Sequence, residues 1–188
     1  MEEEKRGPGK AGTFEQVALP HLDAAYNLAR WLVRNTHEAE DIVEQAYRRA
    51  SNVFGGYQGG NARAWMLKIV RDTSYSFLKK NRPADLAEAL DGAAHTAGME
   101  QPGALTALPP SADSGMIREA LDELPVHCRE VLVLRELEGM SYREIGEVMD
   151  VPIGTVMSGL ARARAQLRER LLWARAERSN ATFQHVPV

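Results

Sequence analysis

Apolar residues recur along most of this chain at three- and four-residue spacing, the mark of helices buried on one side. Thr13 and Gln16 have the spacing of a capping box and open a helix carrying Val17, Leu22, Ala25/Tyr26, Ala29 and Leu32/Val33, in which Pro20 predicts a break. A second helix follows Thr36, whose hydroxyl can cap it while Glu38, Glu40 and Asp41 suit the positive end of the dipole. Its stripe is Ala39, Ile42/Val43, Ala46/Tyr47, Ala50 and Val53/Phe54, and the glycine-rich loop Gly55-Gly56-Tyr57-Gln58-Gly59-Gly60 stops it. Asn61 can cap a third helix from Ala62 to about Asn81. Trp65, Ile69/Val70, Thr73 and Phe77 are expected inward, with Arg63, Lys68, Arg71, Lys79, Lys80 and Arg82 mostly outward.

The periodicity then lapses. Residues 83–112 hold acidic side chains, no lysine or arginine after Pro83, and many Ala, Gly and Pro, the composition of an extended linker. It returns with a helix from Asp113/Ser114 through Ile117, Leu121 and Leu124 and another from Pro125 carrying Cys128, Val131/Leu132, Leu134 and Leu137, ending at Gly139. Ser141 and Glu144 form a second capping box, opening a short helix with Tyr142, Ile145 and Val148/Met149. Asp150-Val151-Pro152-Ile153-Gly154 interrupts it as a turn. The pattern resumes at Val156, Leu160, Ala163, Leu167 and Leu171, with Arg162, Arg164, Arg168 and Arg170 on the more polar side. Short helix, tight turn and arginine-bearing helix make the plan of a DNA-reading helix-turn-helix.

The predicted fold is all-α, with two small helical domains at 13–82 and 113–178 joined by a flexible acidic linker at 83–112. Residues 1–12 read as a disordered tail and 179–188 as a frayed one. Apolar runs fall far short of the roughly 20 residues that cross a bilayer, and the charged start MEEEKRGPGK is no secretory signal, so a cytoplasmic protein is expected.

Charge and chemistry narrow the function. A net charge of −3 is not that of a protein basic all over, and the acidic linker offsets basic helical faces. The single cysteine, Cys128, falls on an apolar stripe and reads as a small buried hydrophobe. The histidines have no metal-ligand spacing, and phosphate-binding, nucleotide-binding and nucleophile motifs are missing, so neither metal, cofactor nor enzyme activity is expected. Tyr57, Trp65, Tyr75 and Phe77 interleave with cations in a way that suits single-stranded nucleic acid. The same residues also fit a core with a solvated basic face.

The segment LPVHCREVLVLRELEGMSYREIGEVMDVPIGTVMSGLARARAQLRERL resembles region 4 of the extracytoplasmic-function (ECF) group of bacterial sigma factors. AEDIVEQAYRRA and GGNARAWMLKIVRDTSYSFLKKNR resemble their region 2. The resemblance implies a factor that binds core RNA polymerase and directs it to promoters, under the control of an anti-sigma factor. It places Glu40, Asp41, Glu44 and Gln45 on the clamp helices of the largest polymerase subunit, and the second domain on the flap of the second largest. It gives Tyr57, in the glycine loop, an extruded base of the minus 10 element, and Arg71, Asp72 and Tyr75 the strand being opened. Thr155, Met157 and Ser158 would approach bases of the minus 35 element, with Arg162 and Arg164 on its backbone. Two departures stand out: Gly159 where the family commonly has arginine, and Asp72 where it often has asparagine. They motivate a second reading, a sigma-like decoy that titrates an anti-sigma factor. A third is a conventional helix-turn-helix regulator that binds duplex operator by itself.

Overall fold

The computed structural model describes residues 12–86 and 114–183, with side chains through Arg178. Residues 1–11 of the expected tail at 1–12 and most of the expected linker lie outside the described residues. Every regular element among the described residues is helical.

The first domain is built from α1 (Phe14–Ala18), α2 (Leu22–Val33), α3 (Thr36–Val53) and α4 (Ala62–Asn81). The Thr13 capping box forms, and the Pro20 break is a turn of 3-10 helix over Leu19–His21 that separates α1 from α2. The cap of α3 is Asn35, whose Oδ1 accepts from the Glu38 amide at 3.1 Å, and not Thr36, which is the first helical residue. Asparagine one residue earlier satisfies the same orphan donor at least as well. Asn61 caps α4, its Oδ1 accepting from the Ala64 amide at 3.0 Å. Leu28, Leu32, Ile42, Ala46, Met66, Leu67, Val70 and Leu78 close the core between α2, α3 and α4.

The second domain contains α5 (Ser114–Asp122), α6 (Val126–Leu132), α7 (Tyr142–Met149) and α8 (Ile153–Phe183). Where the sequence suggests an unpatterned tail after Arg178, α8 continues to Phe183. The stripe Val156, Leu160, Ala163, Leu167 and Leu171 is buried throughout against α5, α6 and α7. The α6 stripe fails at its end, because Val133–Leu137 is a turn of π-helix in which the Glu138 amide reaches the Val133 carbonyl at 3.0 Å. The extra residue in that turn rotates the helix face. Leu137 is thereby turned outward, 55% exposed, and Met140 is buried in its stead. Gly139 (φ 64°) ends the element as a left-handed cap, with the Met140 amide returning to the Leu134 carbonyl at 3.0 Å.

The helix-turn-helix joint is α7 to α8. Ser141 and Glu144 cap each other as expected, at 3.3 Å from the Glu144 amide to the hydroxyl and 2.8 Å from the Ser141 amide to the carboxylate. The chain reverses at Asp150, which takes the left-handed conformation at φ 58°, while Gly154 lies inside α8 rather than in the turn. A short polar side chain tolerates that conformation better than most. Gly146 is required one turn earlier, since a Cβ there would come 2.9 Å from the Val151 carbonyl oxygen.

The two domains pack on one another. α4 lies against α7, and α2 against α6. For this reason α4 packs on more than one face: Arg63, Lys68 and Arg71, expected outward, meet carboxylates of the second domain, with Lys68 still partly open to solvent.

Candidate nucleic-acid interface

At the start of α4, an aromatic cluster holds the glycine loop. Tyr57 packs against Phe54, stacked at 5.8 Å, and Trp65, 4.9 Å away at 42°, and those two rings are 6.1 Å apart. Phe14 meets Phe54 edge-on at 5.6 Å and Tyr47 at 6.3 Å. The Tyr57 hydroxyl donates to the Gly60 carbonyl at 3.1 Å, and Gly59 and Gly60 take positive φ with open space around them. The demand for glycine is therefore conformational, not steric. Phe14, Tyr47, Trp65 and Phe77 all pack against the core, so the core reading holds for Trp65 and Phe77, with Trp65 serving the loop as well.

Further along α4, Arg71, Asp72 and Tyr75 come together. The Arg71 guanidinium sits 4.6 Å above the Tyr75 ring and 3.6 Å from Asp72. Both Arg71 and Tyr75 are occupied by a residue of the second domain. Glu130 accepts from Arg71 Nε at 2.6 Å on one oxygen and from the Tyr75 hydroxyl at 2.7 Å on the other. Glu130 is fully buried, and burial pushes its carboxyl above the ordinary range against the opposing pull of Arg71 and Tyr75. Burial acts to lower the Arg71 pKa, but Glu130 and Tyr75 outweigh it and hold the guanidinium above its usual value. Burial and Glu130 together raise the Tyr75 phenol.

The other expected sites are open. Glu40, Asp41, Glu44 and Gln45 line the exposed face of α3. Glu44 pairs with Arg48, and Glu40 lies 3.7 Å from His37. On α8, Thr155, Met157 and Ser158 face solvent, the Ser158 hydroxyl returning to the Thr155 carbonyl at 3.1 Å. Arg162 is half-buried, and Arg164 pairs with Glu136 at 2.7 Å. Among the described residues no group of His, Cys, Asp or Glu is placed to hold a metal ion, and no helix is long and apolar enough to cross a membrane.

Sequence reasoning missed Arg129 and Glu130. A signal was present: an adjacent charge pair stands inside the apolar run from Val126 to Leu134. Charges in such a place are buried only with partners.

Family models match both halves of the chain in order: sigma-70 region 2 over residues 18–83 and sigma-70 region 4 over residues 114–167. The chain belongs to the sigma-70 family. Its relatives place this sigma factor in the ECF group. It is 31% identical over 172 residues to the ECF RNA polymerase sigma factor SigE of Mycolicibacterium smegmatis, covering 92% of this chain and 65% of that protein. It is 29% identical over 180 residues to the RNA polymerase sigma-H factor of Pseudomonas aeruginosa, covering 91% of each. Among solved structures it is similar to the sigma factor RpoE in complex with the anti-sigma factor NepR from Bartonella quintana. There the TM-score is 0.64 at 29% identity, covering 84% of this chain and 96% of that one.

Two consequences for this sigma factor follow from local geometry. A Cβ at Gly159 meets nothing within 4 Å, so the helix accepts a side chain there. Gly159→Arg is expected to stabilise α8 by about 1 kcal/mol and to tighten promoter-duplex binding by holoenzyme, as read by thermal melting and by footprinting at raised salt. Secondly, hydrogen bonds from the Ser141 backbone and side chain, then from Asn61, lower the Glu144 pKa. A carboxylate depressed in the folded state contributes stability above its unfolded pKa of about 4.3 and loses it as pH falls through the folded value. Glu144→Gln, which preserves the capping box, is expected to flatten that acid limb in a pH series of melting temperatures.

Proposed function

We propose that this sigma factor docks on core RNA polymerase through the acidic face of α3 and reads promoters with both domains. Asp41, with Glu40, Glu44 and Gln45 beside it, meets the clamp helices of the largest subunit, and the second domain meets the flap of the second largest. The first turns of α8 enter the major groove at minus 35, with Thr155, Met157 and Ser158 nearest the bases and Arg162 and Arg164 toward phosphates. At minus 10 the Tyr57 loop receives an extruded base, and Arg71, Asp72 and Tyr75 line the path of the opened strand. Bond making belongs to polymerase, and the factor works in the cytoplasm beside it. The co-crystal of RpoE with NepR supports an anti-sigma factor as a further partner.

The observation that carries this reading is the aromatic nest at the glycine loop, built at the head of the cationic helix α4 in the same chain as an exposed reading helix. Stacking of one base on an aromatic side chain is worth about 1–3 kcal/mol. In reconstituted holoenzyme, Tyr57→Ala is therefore expected to slow promoter opening, followed by permanganate reactivity of unpaired thymines, by about tenfold or more. Binding of the closed promoter should change little. Equal loss in both steps would contradict the assignment.

A further inference from the structure

The first turns of α8 lack the side chains that usually read a base. From Ile153 to Ala161 the sequence holds no Arg, Lys, Asn, Gln, Asp or Glu, and the arginine common in the family is Gly159. Those are the residues that pair bidentately with guanine or adenine, or accept from cytosine, in the major groove. Two hydroxyls remain, and that of Ser158 is spent on the Thr155 carbonyl at 3.1 Å. The cations of α8 come later, with Arg162 half-buried and Arg164 paired with Glu136 at 2.7 Å. What these turns do expose is apolar. Ile153 and Met157 are 49% and 50% exposed, one helical turn apart on one flank of the helix. Beside them, opposite the buried stripe, runs a ridge of small residues, Gly154, Ser158, Ala161 and Ala165. No bulky side chain on that ridge holds the helix axis away from a groove floor.

We propose that this sigma factor selects its minus 35 element through thymine methyl groups, with Met157 and Ile153 as the side chains that cover them. The C5 methyl is the one apolar group that a base edge presents in the major groove, and it shows which strand of an A·T pair holds the thymine. Met157 is unbranched and adapts to the position of a methyl, whereas β-branched Ile153 is stiffer and demands one. The small ridge beside them lets the helix seat deeply enough for both to reach. Covering one methyl supplies discrimination of about fourfold. A bidentate arginine supplies more, so selection by methyls needs several thymines in the element. Arg162 and Arg164, toward phosphates, add affinity without choosing sequence. This inference deepens the proposed function: it rests on α8 being the minus 35 reader and names what that helix reads.

The test uses reconstituted holoenzyme and a pool of promoter duplexes randomised over the minus 35 region, from which the bound fraction is sequenced. The enriched positions are expected to be A·T pairs of fixed orientation. Each enriched thymine is then replaced by deoxyuridine, which removes the methyl and keeps every hydrogen-bonding group. Affinity, read by fluorescence anisotropy, should fall about fourfold for each methyl removed. Holoenzyme carrying Ile153→Ala and Met157→Ala together should bind the thymine and uridine duplexes alike. Both side chains are exposed, so the melting temperature of the variant should not change. Equal affinity of the unsubstituted holoenzyme for thymine and uridine duplexes would overturn the proposal, and so would a double variant that still discriminates between them. A guanine-rich element indifferent to uridine would overturn the methyl readout alone and leave α8 as the reader. No enrichment anywhere in the randomised region would overturn the minus 35 assignment of α8 and the methyl readout with it.

Discussion

Arg129→Ala is expected to cost about 3–5 kcal/mol, the largest loss from any single truncation in this protein. Arg129 is 1% exposed. One terminal nitrogen donates to the carbonyls of Leu124 at 2.8 Å, Asp122 at 3.0 Å and Leu121 at 3.4 Å, and the other to Leu32 at 3.4 Å. A single guanidinium thus serves the negative end of α5 and, across the domain boundary, that of α2. Burial, then repulsion from Arg34, brings its pKa down to about 10, which leaves it charged at neutral pH. Alanine would remove a donor from each of these carbonyls, leaving Asp122 with Arg34 at 2.9 Å and Leu121 with the Leu124 amide at 3.1 Å, and open a cavity the size of the side chain. Melting of the second domain should fall by roughly 4–8 °C for each kcal/mol lost, as read by calorimetry. Arg129→Lys keeps the charge without the planar fork and is expected to lie between the two.

Asp41→Arg is expected to abolish stable binding to core RNA polymerase while leaving the fold intact. Asp41 is exposed at mid-helix in α3, and among the described residues no cation pairs with it, whereas Glu44 is engaged by Arg48. A surface substitution of this kind changes stability by only about 0.5 kcal/mol or less. At a charge-complementary interface it sets like charges together, at a cost of several kcal/mol. A hundredfold or greater loss of affinity, on the order of 3 kcal/mol or more, should appear in a titration of fluorescent core polymerase, with the melting temperature unchanged. Asp41→Asn should give a smaller loss, because it removes attraction without adding repulsion.

Local chemistry carries well from sequence to structure here. Both capping boxes form, Asn61 and Gly139 cap as their residue types require, and the α8 stripe is buried position by position. The misses have local reasons too. Asn35 outcompetes Thr36 one position earlier, the turn expected over Asp150 to Gly154 ends at Pro152 because Ile153 and Gly154 already belong to α8, and the π-turn rotates Leu137 out of a stripe that a uniform helical period would bury. What the sequence hides is contact between residues far apart along it. Glu130 reaches Arg71 and Tyr75 from more than fifty positions away, and Glu138 reaches Asn27 from more than a hundred. Periodicity describes which face of a helix is apolar, not which of two neighbours covers it, and α4 is covered on two sides. Thr155, Met157 and Ser158 and the α3 candidates lie on open faces, as amphipathic reasoning places them, whereas Arg162 and Arg164 are half-buried. Those of α4 lie under a domain whose position no local pattern encodes.

The central claim is that this chain confers promoter choice on polymerase, and mapping transcript 5′ ends from reconstituted holoenzyme on a genomic promoter library tests it most directly. Start sites are expected that arise only when the factor is present and share two upstream elements, with initiation lost for Asp41→Arg and reduced for Tyr57→Ala. Start sites unchanged from core polymerase alone would contradict it, as would tight binding of a duplex operator by the free protein.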